Sequence, residues 1–320
     1  MRKKRVVSLL PAATEMVCAL GATSQLAGRS HECDYPPEII ALAACTSAKL
    51  DSTAGSAAIE SQVKTFQREG SSLYELNAVR LQELRPDVIL TQGQCEVCAI
   101  SLAEVESAVK PWPGHPPQIV SLSPNRLADI WTDIRAVAEA LALDESWREI
   151  LRALKMRVVN IIEKTCVLKQ RPTVACIEWI EPLMAAGNWV PELVELAGGA
   201  NAVGEAGKHS TWMDWETLVK LNPEIIIAMP CGFDLARTRA EMASLSRRAE
   251  WPKLRAVKNR RVFVTDGSQY FNRPGPRIVE SLEMLTEMIH PDRFHFGHRG
   301  KGWDKFTGGD GGQASPSSAG

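Results

Sequence analysis

The stretch DESWREILRALKMRVVNIIEK, residues 144–164, decides how the chain is organised. Its apolar residues recur every three or four positions, which predicts one stripe along a helix. The stripe consists of Trp147, Ile150, Leu151, Leu154, Val158, Ile161 and Ile162. Asp144 is the predicted N-cap, and the absence of glycine and proline predicts an unkinked rod of about 30 Å. We therefore predict a rigid helix that joins two lobes, with the functional site in the cleft between them.

Composition is typical of a globular chain with two domains. Of its 320 residues, 45% are hydrophobic and 23% are charged, which is enough apolar material for two cores. The net charge of −1 provides no electrostatic argument for nucleic acid as a partner. Every apolar run is shorter than the roughly 18 residues of a transmembrane helix, so we expect no membrane insertion.

The N-terminal sequence determines the predicted compartment. MRKKR followed by VVSLLPAATEMVCALGA imitates a signal peptide, but Pro11, Thr14 and Glu15 interrupt the apolar segment. We therefore interpret residues 5–9 as a buried strand and Pro11 as the start of a helix. This interpretation predicts a cytoplasmic protein whose eight cysteines are thiols or metal ligands. The alternative is an exported protein whose basic N-terminus is a signal.

Strand and helix patterns alternate on both sides of the long helix, which predicts a parallel sheet in each half. A short internal repeat favours two related lobes, because LQELRPDVIL (81–90) resembles LVKLNPEIII (218–227). The predicted fold is α/β, with two lobes of mainly parallel sheet joined by one long rigid helix. Its parts are an N-terminal lobe (1–125), a helical connection (126–169), a C-terminal lobe (170–295) and a disordered tail (296–320).

The predicted ligand site lies beyond the carboxyl ends of the strands, where open parallel sheets bind their ligands. The segments after the predicted strands contain many aromatic and acidic residues, and flat aromatic walls suit a large, partly apolar ligand. For the two acidic residues that flank a tryptophan, a structural or hydrogen-bonding role is favoured over acid–base chemistry. The candidate ligand-binding residues are Tyr35, Glu178, Trp179, Glu181, Trp189, Trp212, Tyr270 and Phe271.

Four of the eight cysteines also follow predicted strands, namely Cys33, Cys95, Cys98 and Cys231. Cys95 and Cys98 have the two-residue spacing that lets adjacent thiolates bind one ion. We predict that these four residues converge in the cleft and that at least three share a metal or ligand site.

Four motifs carry a resemblance to a known family: SLLPAATEMVCALGA (8–22), HECDYPP (31–37), GNWVPELVELAGGANAVG (187–204) and WMDWETLVKLNPEIIIA (212–228). Through them the chain resembles the substrate-binding proteins of iron-chelate and cobalamin ABC importers, most of all the cobalamin-binding ones. The resemblance implies two α/β lobes with a helical backbone and a cobalamin-like corrinoid or related metal chelate between them. It also implies an ABC permease as partner.

The chain departs from that family at two points. Family members are exported, whereas the N-terminus here predicts a cytoplasmic protein. Members also present one surface glutamate per lobe to the permease. Glu216 retains the second of these, but Val79 stands at the position of the first, with Glu75 one turn earlier.

We expect a binding protein and not an enzyme, because the chain has no nucleophile elbow, P-loop or dinucleotide motif. The alternative is a metal or iron–sulfur protein on the same fold. In that case the four cleft cysteines bind zinc or a cluster and the protein has a redox function.

Overall fold

The computed structural model describes residues 2–93 and 100–308. Among them, the strands of the first half are β1 (Val6–Ser8), β2 (Leu26–Arg29), β3 (Ala43–Ala44), β4 (Thr46–Ala48), β5 (Tyr74–Leu76), β6 (Val88–Gln92) and β7 (Gln118–Leu122). The helices are α1 (Pro11–Ala19), α2 (Ser56–Arg68), α3 (Ala78–Glu83) and α4 (Leu102–Val109). We call this half the first lobe.

The first lobe is built on a parallel sheet with the strand order β3–β2–β1–β6–β7. β1 is central and all three of its residues are buried, which confirms the strand predicted at residues 5–9. Pro11 starts α1, where the missing backbone N–H of proline is tolerated. β4 and β5 form a separate antiparallel pair, and α2 belongs to the excursion of the chain between them.

Two helices connect the halves, α5 (Leu127–Ala140) and α6 (Trp147–Thr165). α6 is the long helix predicted from the apolar stripe. Its N-cap is Ser146 and not Asp144, because the Asp144 carboxylate accepts a hydrogen bond from the Ser146 backbone N–H at 3.0 Å in the turn before the helix. No helix among residues 2–93 and 100–308 combines the length and apolarity needed to cross a membrane.

The second half, which we call the second lobe, contains a larger sheet. Its described strands are β8 (Thr173–Trp179), β9 (Met184–Ala185), β10 (Ala200–Asn201), β11 (Thr211–Trp212), β12 (Ile225–Ala228), β13 (Val262–Thr265) and β14 (Trp303–Lys305). Its helices are α7 (Val190–Leu196), α8 (Trp215–Leu221), α9 (Leu235–Ser246), α10 (Arg255–Lys258) and α11 (Ile278–Ile289). β8, β12 and β13 are parallel, as predicted, but β9 and β14 pair antiparallel at the two sides, so the sheet is mixed.

The predicted disordered tail begins too early. β14 pairs with β13, and the Trp303 side chain is buried, with its indole N–H donating to a Glu287 carboxylate oxygen at 2.6 Å. Burial of this one tryptophan orders a segment whose composition suggests flexibility. Residues 309–320 lie outside the described part of the chain.

One apolar core extends through both lobes. It includes side chains of α1 in the first lobe, of α5 and α6 in the connection, and of α7 and α11 in the second lobe. Because a close-packed interior is nearly incompressible and its parts cannot shift without repacking, this shared core holds the lobes in a fixed relation on that side.

Candidate functional site

The two lobes meet where the segment after β2 faces the segment between β13 and α11. Glu15 on α1 and Asp34 after β2 come from the first lobe, while Arg273 and Arg277 come from the second. We call these four residues the buried junction. The side chains of Glu15, Arg273 and Arg277 are each at most 7% exposed, so opposite charges from the two lobes are paired away from water.

Glu15 accepts hydrogen bonds from both arginines at the buried junction. Its Oε1 lies 3.1 Å from Arg273 Nη1 and 2.6 Å from Arg277 Nη2, and its Oε2 lies 2.8 Å from Arg277 Nε. Arg273 also donates to both carboxylate oxygens of Asp34, at 2.6 and 3.2 Å. Burial opposes the charge on Arg273, but the bonds and charges of Asp34 and Glu15 outweigh it and raise the pKa of Arg273.

Two tyrosines from different lobes lie on one guanidinium of the junction. The Arg277 guanidinium carbon is 3.9 Å from the ring centroid of Tyr35 and 5.1 Å from that of Tyr270. The Tyr35 side chain is exposed, whereas partial burial raises the pKa of Tyr270. Both predicted ligand-binding tyrosines are therefore brought together between the lobes.

A second aromatic surface lies at the end of β8. The ring centroids of Trp179 and Phe233 are 5.2 Å apart, and we call this pair the aromatic wall. Ile59 of α2, from the first lobe, packs on it and is itself buried. The Trp179 Nε1 atom is buried, and among the described residues it has no hydrogen-bond partner, which costs about 1–3 kcal/mol relative to a satisfied donor.

Polar contacts hold α2 against the second lobe beside the aromatic wall. Glu241 of α9 accepts hydrogen bonds from the Ser56 backbone N–H at 3.2 Å and from its hydroxyl at 2.7 Å. Arg237, on the same helix, donates to the carbonyl of Ser52 at 2.6 Å and to that of Ala54. We call these bonds the cover contact.

The remaining candidates near the wall are more exposed to solvent. Trp212 is 55% exposed, with the ammonium group of Lys64 5.9 Å from its ring centroid. Glu178 accepts a hydrogen bond from the Ser210 hydroxyl at 2.7 Å. Glu181 forms a longer ion pair with an arginine of the same lobe, at 3.7 Å. Each carboxylate is engaged within its own lobe.

Two aromatic residues predicted to line the cleft lie in the core instead. Phe271 is fully buried, and Trp189 is 5% exposed with its indole N–H donating to the Phe271 carbonyl at 2.9 Å. Both belong to the large core that extends through the lobes. The segments that contain them follow strands, as predicted, but their side chains turn inward.

The predicted cysteine site finds no support in the described residues, among which no three His, Cys, Asp or Glu side chains form a metal-binding group. Cys33 is buried in the core, where its sulfur accepts a hydrogen bond from the Thr14 hydroxyl at 3.0 Å. Burial raises the pKa of Cys33 to about 11, which disfavours the thiolate that metals bind. Cys231 is exposed, and Cys95 and Cys98 lie outside the described residues.

One further acidic residue, half-buried, was not among the predicted site residues. Asp133 of α5 has a buried Oδ2 atom with no hydrogen-bond partner among the described residues. Burial, followed by the charge of Asp129, raises the pKa of Asp133 to about 7. Sequence reasoning also missed Arg273, Arg277 and Phe233 as site residues, although all three lie in segments that directly follow β13 or β12.

The described residues therefore form two α/β lobes connected by helices, with charged and aromatic groups of both lobes facing each other. Residues 6–268 match the periplasmic binding protein family, and the chain belongs to that family. Its members are solute-binding and non-enzymatic proteins, and those of ABC importers work with permease and ATPase partners.

Relatives cover nearly the whole chain at low identity. An uncharacterised ABC transporter substrate-binding lipoprotein, YvrC of Bacillus subtilis, is 23% identical over 91% of this chain and 81% of its own length. A vitamin B12-binding protein of Vibrio cholerae is 22% identical over 89% of each chain. The solved periplasmic heme-binding protein RhuT of Roseiflexus, in apo form, superposes with a TM-score of 0.66 at 19% identity, over 91% of this chain and 99% of its own.

These relatives correct the predicted compartment. YvrC is a lipoprotein and RhuT is periplasmic, so an exported location is indicated and the cytoplasmic prediction is wrong. The prediction placed too much weight on the residues that interrupt the apolar N-terminal segment. Residues 6–8 form the central strand of the first sheet, so their apolar character reflects burial and carries no information about the compartment.

Proposed function

We propose that this protein binds a corrinoid, such as a cobalamin, or a related flat metal chelate between its two lobes and delivers it to an ABC permease. The observation that carries the proposal is the contact of Tyr35 and Tyr270 with Arg277, since it brings an aromatic ring from each lobe together between the lobes. The vitamin B12-binding and heme-binding relatives support a large tetrapyrrole-type ligand.

The proposed ligand contacts combine flat apolar surface with a few polar groups that fix orientation. Tyr35 and Tyr270 supply one surface, and Trp179 with Trp212 supplies a second. Arg277 lies between the tyrosines and holds their rings in place while its own charge is paired with Glu15. Glu178 and Glu181 are proposed to hydrogen-bond the ligand from the second lobe.

The proposed permease contact uses one exposed acidic residue from each lobe. Glu216 on α8 is exposed, as a docking residue must be. In the first lobe, Val79 on α3 is 69% exposed and cannot pair with a basic residue of a permease. Glu75 on β5 is exposed close by in sequence and is the proposed replacement.

Titration of the purified protein with cyanocobalamin tests the ligand, with hemin as a second arm. Binding is followed by quenching of tryptophan fluorescence and by isothermal calorimetry. We expect saturable binding of one ligand per chain, tighter than about 10 µM. If neither compound binds at about 100 µM, the proposed ligand class is wrong.

A further inference from the structure

The helix α2 belongs to the first lobe by sequence but packs on the second. Among the described residues, its side chains that join an apolar cluster, Ile59 and Val63, join the one formed by Trp179 and Phe233. Most of its other residues are exposed or half-buried. The helix is therefore held in place mainly by the opposite lobe.

The contacts that hold α2 are few and mostly polar. Arg237 bonds the carbonyls of Ser52 and Ala54 while its guanidinium lies 3.7 Å from the ring centroid of Phe233. Glu241 accepts from the Ser56 backbone and hydroxyl. Contacts of this kind, at a half-buried surface with one buried aliphatic side chain, open locally at low free energy.

While α2 covers the aromatic wall, one hydrogen-bond donor of the wall lacks an acceptor among the described residues. The indole N–H of Trp179 is buried, and the described residues offer it no acceptor. A buried tryptophan N–H normally finds a partner, as that of Trp189 does at the Phe271 carbonyl. The α2 side chain on the wall, Ile59, is aliphatic and cannot accept this hydrogen bond.

We propose that α2 is a displaceable cover and that the aromatic wall beneath it is part of the ligand site. The ligand displaces α2, lays a flat face against Trp179 and Phe233, and accepts a hydrogen bond from Trp179 Nε1 through a peripheral oxygen atom. The amide side chains of a corrinoid and the propionates of a heme both carry such oxygens. This inference rests on the proposed function and deepens it, because it assigns one wall of the cleft and the step that exposes it.

The cover is tested first without ligand, by hydrogen exchange. The amides of residues 57–68 should exchange by local opening much faster than those in the middle of α6. Arg237→Ala should accelerate the hydrogen exchange of the α2 amides about tenfold, because it removes two charge-assisted hydrogen bonds. The matched control is Arg239→Ala on the same helix, since Arg239 bonds Asp304 and the Lys305 carbonyl within the second lobe. If the α2 amides are as protected as those of α6, or if Arg237→Ala leaves their exchange unchanged, α2 is not a displaceable cover.

Stopped-flow binding of cyanocobalamin and of hemin then tests the wall. Because the apparent affinity scales with the fraction of protein in the open form, Arg237→Ala should bind about tenfold more tightly, mainly through faster association. Arg239→Ala should match the parent protein. An unchanged association rate in Arg237→Ala, for a ligand that does bind, overturns the inference and leaves the proposed function standing.

Trp179→Phe examines the hydrogen bond separately, because it retains the ring and removes the N–H. We expect about tenfold weaker ligand binding with no fall in the thermal midpoint of the free protein. Equal binding by Trp179→Phe and the parent overturns the assignment of Trp179. If neither compound binds the parent protein, the proposed function is wrong, and so is the assignment of the aromatic wall to the ligand site.

Discussion

The buried junction and the cover contact both join the lobes, but they differ in how completely their charges are removed from water. At the junction, Glu15 and Arg277 are almost fully buried and every oxygen of Glu15 is used. At the cover contact, Arg237 and Glu241 are half-buried and bond mainly backbone groups. The difference separates a permanent connection from a releasable one.

The reason lies in desolvation. A buried ion pair contributes little net stability when it is intact, but removal of one partner leaves an uncompensated charge in a medium of low dielectric constant. Exposed pairs contribute about 0–1 kcal/mol, because water replaces the lost partner. Truncation of one side chain at the junction therefore costs much stability, whereas the cover contact can exchange protein partners for water.

The largest expected effect comes from Glu15→Ala. Loss of this carboxylate leaves Arg277 buried without its acidic partner, and we expect a loss of about 3–5 kcal/mol in the free energy of unfolding. Urea denaturation followed by circular dichroism measures it. The control is Glu145→Ala, which removes an exposed pair with Arg148 and should change stability by less than about 0.5 kcal/mol. A loss below about 1 kcal/mol in Glu15→Ala would show that the junction is not the fixed connection.

The half-buried carboxylate of Asp133, for which the described part of the chain supplies no basic partner, should behave in the opposite way. The pKa of Asp133 is raised from 3.8 to about 7, so the folded protein binds the extra proton and stability is lost as pH rises through this interval. Asp133→Asn should therefore stabilise the protein at pH 8, by about 2 kcal/mol after allowance for partial solvent screening, and have little effect below pH 4.

Urea denaturation at both pH values checks this prediction. Asp144→Asn is the matched control, because that carboxylate is exposed before α6 and its pKa is lowered by the hydrogen bonds of Ser146. It should produce no gain at pH 8. Equal stability of Asp133→Asn and the parent across the pH range would mean that solvent already reaches Asp133.

The comparison also shows which features the sequence could reveal. The periodicity of residues 144–164 predicted α6, and the apolar run at residues 5–9 predicted β1. Both patterns are local, because each reflects which side chains of one element are buried. Strands such as β9, β10 and β11 contain two residues each and are too short to show alternation. The Glu15–Arg277 pair joins residues 262 positions apart, so no local sequence pattern can predict it.

The sequence predicted the location of the candidate site more accurately than it predicted which side chains face that site. The segment after β2 and the segment between β13 and α11 do meet between the lobes, as expected for segments that follow parallel strands. Whether a given aromatic residue faces the cleft or the core depends on packing partners from distant segments. Trp179 and Trp189 both lie beside strand ends, yet one has an indole N–H without an acceptor among the described residues and the other is satisfied by Phe271.

The smallest expected effect separates these two tryptophans. Trp189→Phe removes the donor that satisfies the Phe271 carbonyl, so we expect a loss of about 1–2 kcal/mol in the free energy of unfolding. Affinity for cyanocobalamin or hemin should stay within about twofold of the parent, because a core residue holds no ligand atom. Trp179→Phe should give the reverse pattern, with unchanged stability and weaker binding. If Trp189→Phe weakened binding as much as Trp179→Phe, Trp189 would be a ligand contact after all, and the division between a fixed core and a ligand wall would fail.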